Sequence, residues 1–344
     1  MFRLYILKLM KDENSGFFDN LIKGVLRILS WIYYVAIKFV DKSYRLGIRR
    51  EIKISIPVIS VGNITLGGTG KTPLAIFLAE YYQARGKKPA ILIRGYGGDE
   101  NRLLADELAD ISIFTGQDRV KNARMAVARK NDVIILDDAF QHRRIRRDYN
   151  IVVLDSVSLF GNKALVPRGI LREPVSSLGR ASAFVLTKAD MIGETRKNAV
   201  TEMLKSSFPE IPIALTCHRP LSFSDVTGAS YPVETIKGWQ IAVVSGIGDP
   251  DYLAFLLERQ GANIVLRRDY MDHYQYTQKD IDRISRDVLT RKVQKIIVTA
   301  KDYVKLKNLN LSNIEDKTFI LKIGIDFIAG KEGLIAGLNS VISG

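Results

Sequence analysis

From about residue 55 onward, short apolar runs alternate with stretches of helical spacing. IPVISV (56–61), KPAILI (88–93), DVIILDD (132–138), NIVVLD (150–155) and ASAFVLTKAD (181–190) are apolar without polar alternation. Such runs predict strands buried on both faces, the condition of a parallel sheet covered by helices. Helical spacing falls between them, at 73–84 and 119–130. A second set follows: QIAVVSGIGDP (240–250) predicts a strand then a turn, 251–261 a helix ending at Gly261, 263–270 a strand, 277–289 a helix capped by Thr277, and 294–302 a strand. The alternation predicts an α/β fold with a mostly parallel sheet flanked by helices and a second, smaller α/β lobe. Pro220, Gly228 and Pro232 mark 218–237 as the joint, leaving a core over 51–217 and a smaller lobe over 238–344, with a cleft between them.

The first fifty residues have a different texture. FFDNLIKGVLRILSWIYYVAIKFV (17–40) is apolar, but Lys23, Arg27 and Lys38 interrupt it. Only Ile28 to Ile37 are free of charge, short of the ~20 apolar residues that span a bilayer. Trp31, Tyr33 and Tyr34 suit the headgroup zone, and Lys38, Lys42, Arg45, Arg49 and Arg50 suit anionic lipid. The segment predicts an amphipathic helix lying in a membrane surface over 1–50. A helix packed on the protein's own core and a tilted span are the alternatives.

Composition narrows the partners. The 344 residues are 47% hydrophobic, enough for a sizeable core, and carry 51 Lys and Arg against 37 Asp and Glu, a net +14. That excess favours an anionic partner. Aromatic residues are not interleaved with the basic ones, and no zinc-finger spacing occurs, which argues against nucleic acid. The single cysteine, Cys217, rules out an internal disulfide and a cysteine-rich metal site, in keeping with a reducing compartment.

Candidate chemistry starts at GNITLGGTGKTP (62–73), which lies between a predicted strand and a predicted helix. A strand, a glycine-rich turn and a helix opening in Gly-Lys-Thr form a phosphate-binding P-loop. Thr65, Leu66, Gly67, Gly68, Thr69 and Gly70 would turn amides around a triphosphate, Lys71 would reach its outer phosphates, and Thr72 would place a hydroxyl on Mg²⁺. The glycine that usually stands five places before Gly70 is Thr65 here, so the loop is closer to the GGxGK[ST] variant. Asp137 and Asp138 follow an apolar strand at its C-terminal end, where α/β sheets bind ligands, and are candidates for the metal. The fold class is accordingly P-loop NTPase-like. The acceptor stays open: water makes an NTPase, a substrate hydroxyl a kinase. A kinase wants a base, and Asp99 in RGYGGDEN (94–101) and His273 in YMDHYQY (270–276) are the candidates. Thr187-Lys188-Ala189-Asp190 fits the pattern by which some GTPases read guanine. A membrane-surface switch or partitioning ATPase is the other rival, although its variant loop carries a lysine where this chain has Leu66.

Seven blocks in order, GNITLGGTGKTP, RGYGGDE, LDDAFQHRRIRRD, FGNKALVPRGILREP, SGIGDP, MDHYQYT and TAKD, resemble the tetraacyldisaccharide 4'-kinases, the lipid A 4'-kinases of Gram-negative bacteria. The resemblance runs from about residue 55 to 305, and the N-terminal helix resembles that family's membrane-associating segment. It implies ATP- and Mg²⁺-dependent phosphorylation of the 4'-hydroxyl of an acylated glucosamine disaccharide 1-phosphate, at the cytoplasmic face of the inner membrane. It implies that the phosphate loop is Thr65 to Thr72, that the base is Asp99 supported by His273, and that the metal-associated acids are Asp137 and Asp138. Arg143, Arg168 and Arg172 become candidates for the substrate's phosphate or the anionic membrane surface. The chain departs from the family at RGYGGDEN, where a longer insert is usual and Asn101 replaces proline, at Ala139 in place of glycine, and at VPRG in place of LPAG.

Overall fold

The structure, a computed structural model, describes residues 2–14, 16–95, 108 and 110–343. The chain divides into two compact units, one built from 1–94, 118–216 and 327–344, the other from 95–117 and 217–326. It leaves the first unit within the strand Ile213–Asp225 and returns to it within Thr318–Ala329.

In the first unit the five apolar runs become the strands Val58–Gly62, Pro89–Ile93, Val133–Leu136, Tyr149–Asp155 and Ala183–Thr187, each buried throughout. They pair in parallel, and the order across the sheet is 89–93, 133–136, 58–62, 149–155, 183–187, then the start of Ile213–Asp225. The glycine-rich segment thus leaves a central strand. Lys71–Gln83, Arg119–Ala128 and Glu194–Ser207 are the intervening helices. Asp118 caps the second of these, accepting from the amides of Val120 and Lys121 at 3.1 Å each. Phe140, Phe184, Leu154 and Leu186 share one core cluster with Ile64 at the base of the loop. Burying a side chain such as Phe140 or Phe184 contributes about 1.5–3 kcal/mol.

The N-terminal segment forms two helices, Phe2–Met10 and Phe17–Arg45. The long helix presents Ser30, Tyr33 and Ile37 to the first unit. The Ser30 hydroxyl donates to the Leu165 carbonyl (2.7 Å) and Tyr33 to that of Arg172 (3.0 Å), while Ile37 packs on the core. The opposite face leaves Phe17, Leu21, Val25, Ile28, Ile32, Val35 and Phe39 exposed, a stripe at helical spacing. Among the described residues this is the one helix long and apolar enough to cross a membrane by length and composition.

The second unit holds the parallel strands Asn263–Asp269, Gln240–Ser245, Lys295–Thr299 and Thr318–Ala329, in that order. The capped helix predicted at 277–289 is Gln278–Thr290, and the Asp280 carboxylate accepts from the Thr277 amide at 2.9 Å. The stretch 218–237, predicted as the joint, begins just past the 216/217 boundary between the units and is itself structured. Ile213–Asp225 runs through it and forms a hairpin with Ser230–Pro232, followed by a 3₁₀ turn at Val233–Ile236. The Asp225 carboxylate organises the reversal by accepting from the amides of Thr227 and Ala229, with Gly228 at φ +93°. Phe223 and Ile236 are fully buried against Ile241 and Val243, so this punctuation marks a tight turn on a core.

Candidate active site

Gly62 ends its strand where a Cβ would lie 2.5 Å from the Phe140 nitrogen, so only glycine lets the loop's root and the turn after the acidic strand touch. Beyond it Gly70 takes φ +81° and hands the chain to the helix that starts at Lys71. Three other segments brace the loop. The Leu66 amide donates to the Ile170 carbonyl and the Arg172 amide to that of Ile64, both at 2.7 Å, so the RGILREP block lies along the loop's first limb. Thr69, itself buried, is held from two sides. Asn63 Nδ2 donates to its hydroxyl (3.0 Å), and the Thr187 hydroxyl donates to its carbonyl (2.9 Å). Gln141 Nε2 donates to the Asn63 carbonyl at 2.8 Å and ties in the LDDAFQH block.

The acidic strand delivers its carboxylates beside this loop. The Ala139 amide donates to the Val61 carbonyl at 3.1 Å, and Asp138 turns through φ +47°. Its carboxylate lies 3.5 Å from Lys71 Nζ and 3.2 Å from Arg172 Nη1. Burial pushes the Asp138 carboxyl up, but Lys71, Arg172 and Arg119 outweigh it and hold the group below the ordinary carboxylate range. The ionised form, with the stability its ion pairs contribute, is therefore kept above that range and lost only as pH falls through the lowered value. Asp137 is buried, and its Oδ1 accepts from the Asp138 amide at 2.8 Å. Buried Arg119 donates to the main-chain carbonyls of both aspartates. Burial and the charges of Arg119, Arg147 and Arg144 push His142 down to about 4, so its ring is neutral at pH 7.

The Thr72 hydroxyl and the strand-end carboxylates make an all-oxygen donor set. Among the described residues there is no group of three or more His, Cys, Asp or Glu able to cage a metal. The oxygen donors of Thr72, Asp137 and Asp138 are of the ligand type that Mg²⁺ takes.

The remaining predicted residues divide. Arg172 joins Lys71 and Asp138. Arg143 instead pairs with Asp41 at 2.7 Å, and Arg168 pairs with Asp12 at 2.6 Å and donates to the Leu9 carbonyl, so both tie the N-terminal helices to the first unit. His273 belongs to the second unit, at φ +62°, with Nε2 3.4 Å from Lys301 Nζ. Asp99 lies outside the described residues. In the TKAD stretch, Thr187 braces the loop and Lys188 makes a buried ion pair with Asp155. The sequence reading missed the bracing roles of Asn63, Thr187 and Arg119. Asn63 and Thr187 sit at strand ends beside motif residues, a visible signal, whereas Arg119 looks like any surface arginine on a helix.

A parallel sheet whose central strand runs through a glycine loop into a Lys-Thr helix, with a strand-end aspartate against the lysine, defines the P-loop class of nucleotide-binding proteins. A family model for Tetraacyldisaccharide-1-P 4'-kinase matches residues 22–102 and 97–343. The chain belongs to the tetraacyldisaccharide 4'-kinase family. The Tetraacyldisaccharide 4'-kinase of Halothermothrix orenii is 32% identical over 93% of this chain and 92% of its own length. That of Syntrophus aciditrophicus is 34% identical over 82% and 84%. The crystal structure of the "apo" form of LpxK from Aquifex aeolicus in complex with ATP is 26% identical, covers 93% of this chain and 99% of its own, and superposes with a TM-score of 0.71.

Proposed function

We propose that this protein transfers the γ-phosphate of ATP to the 4'-hydroxyl of a tetraacyl glucosamine disaccharide 1-phosphate. The observation that carries the reading is the meeting of Lys71, Arg172 and Asp138 at the mouth of the glycine loop, in a chain of this family. Phosphoryl transfer is catalysed mainly by positioning and by neutralising charge on the transferred group. The amides of 65–72 hold the triphosphate, Lys71 neutralises its outer oxygens, and Thr72 with Asp137 or Asp138 would hold Mg²⁺, which would supply further charge neutralisation when bound. Asp99 takes the proton of the 4'-hydroxyl, and His273 supports it. The exposed apolar stripe of Phe17–Arg45 rests in the cytoplasmic face of the inner membrane, where the lipid substrate is found. The GTP reading lacks this support: the solved relative is in complex with ATP, and Thr187 of the TKAD stretch is spent on the loop. A partitioning switch is disfavoured by the match to a kinase family along most of the chain.

Transfer of labelled γ-phosphate from ATP to a disaccharide lipid precursor tests the assignment. Wild type labels the lipid, and Lys71→Ala falls by ~10²-fold or more, the scale of one lost charge-stabilising group. Nucleotide hydrolysis with no labelled lipid would overturn the kinase reading.

A further inference from the structure

Three blocks of the second unit, widely spaced in sequence, converge on one buried carboxylate. Asp302, fully buried, accepts from the Gly246 amide at 2.9 Å, the Tyr276 hydroxyl at 3.0 Å and the Thr299 hydroxyl at 2.7 Å. Gly246 in turn offers its carbonyl to the His273 amide at 3.2 Å. The room at Gly246 is small: a Cβ there would lie 3.1 Å from Asp302 Oδ1 and 3.3 Å from the Met271 carbonyl oxygen. His273 sits at φ +62°, a conformation that side-chain-bearing residues keep only where their surroundings over-determine it. The Asp302 node supplies that constraint on the main chain.

The next residue back acts on the ring. Lys301 Nζ lies 3.0 Å from Asp272 Oδ1 and 3.4 Å from His273 Nε2, and Asp272 Oδ2 is 3.7 Å from the same nitrogen. An ammonium has donors and no acceptor, so at 3.4 Å it favours a lone pair on the nitrogen facing it, over the N–H that the Asp272 carboxylate at 3.7 Å would accept. The neutral ring then carries its proton on Nδ1. The side chains of the Lys301–Asp272 pair are 18% and 31% exposed, so the melting temperature is read beside activity to separate a geometric effect from stability.

We propose that Lys301 is a positioning residue for His273, its ammonium setting the orientation of the imidazole and leaving the proton on Nδ1. The inference rests on the reading of His273 as part of the transfer machinery.

The chain has three histidines, at 142, 218 and 273, so ¹⁵N spectra of the full protein can assign the tautomer of His273. The expected result is an Nδ1–H ring in wild type and a mixture of tautomers in Lys301→Met. A protonated Nε2 in the neutral wild-type ring overturns the proposal. Lipid phosphorylation gives the second arm. Lys301→Met should lower kcat ~10-fold or more with KM for ATP and melting temperature unchanged, and Lys301→Arg should recover most of the loss. In a His273→Ala background the same change should alter kcat by less than about twofold, because residues acting through one another are not additive. Equal losses in both backgrounds, or no loss in wild type, overturn the inference while leaving His273 in place. Full activity of His273→Ala removes the reading of His273 and this inference with it.

Discussion

Thr187 shows how far a single hydroxyl can matter to a phosphate loop. Its donor reaches the carbonyl of Thr69 within a buried environment, where an acceptor stripped of its partner costs about 1–3 kcal/mol. Thr187→Val keeps the branched shape and the strand while removing that donor. ATP affinity, measured by calorimetry, should weaken about 5–100-fold with the fold intact; unchanged affinity would show that the loop needs no such brace. At this scale the sequence was a partial guide. Lys71 and Asp138 were legible because motif chemistry names residue types at set spacings, and they stand 3.5 Å apart. Arg143 and Arg168 looked equivalent to Arg172 in sequence, yet their guanidinium groups are held by Asp41 and Asp12. The carboxylates that hold Arg143 and Arg168 lie more than a hundred residues back along the chain, beyond the reach of any local pattern.

Among the elements, the helix Phe17–Arg45 carries two faces with separate tasks. The inward face hydrogen-bonds and packs on the first unit through Ser30, Tyr33 and Ile37, so removing the whole helix would take the Tyr33 donor from the Arg172 carbonyl and the Ser30 donor from that of Leu165, which keeps the amides of Arg168 and Gly169. The outward face is the one to test. Ile28, Ile32 and Val35 are 64%, 54% and 46% exposed, and replacing all three by Ser should leave the melting temperature nearly unchanged. Sedimentation with vesicles of anionic lipid should fall by ~10-fold or more, since each aliphatic side chain removed from a membrane surface forfeits on the order of 1 kcal/mol or more. Equal sedimentation of variant and wild type would rule out this stripe as the membrane contact. Apolar periodicity made most strands legible to within two or three residues, because buried parallel strands need unbroken runs. The strands Ile213–Asp225 and Thr318–Ala329 escaped because polar and apolar residues mix along them.

For the whole molecule, the chain's far end closes the first unit. The helix Lys331–Ser343 buries Leu334 and Leu338, while Tyr82 donates to the Leu338 carbonyl at 3.0 Å and Tyr81 to Asn339 Oδ1 at 2.6 Å. Gly337 sits where a Cβ would meet the Tyr149 ring. Leu338→Ala should destabilise the protein by about 2–5 kcal/mol in denaturant unfolding. A loss under ~1 kcal/mol would mean the helix is not part of that core. Reading the chain as consecutive lobes missed this, since the first unit takes residues 327–344 and yields 95–117 to the second.

The sequence by itself determined the α/β alternation, the glycine loop with Lys71 and Thr72, the acidic strand end and the family, because these rest on local residue order. Tertiary structure decided which groups the loop leans on, which arginine joins Asp138, and that residues 327–344 return to the first unit. Those outcomes come from side chains brought together across long stretches of chain, and linear spacing carries no term for that.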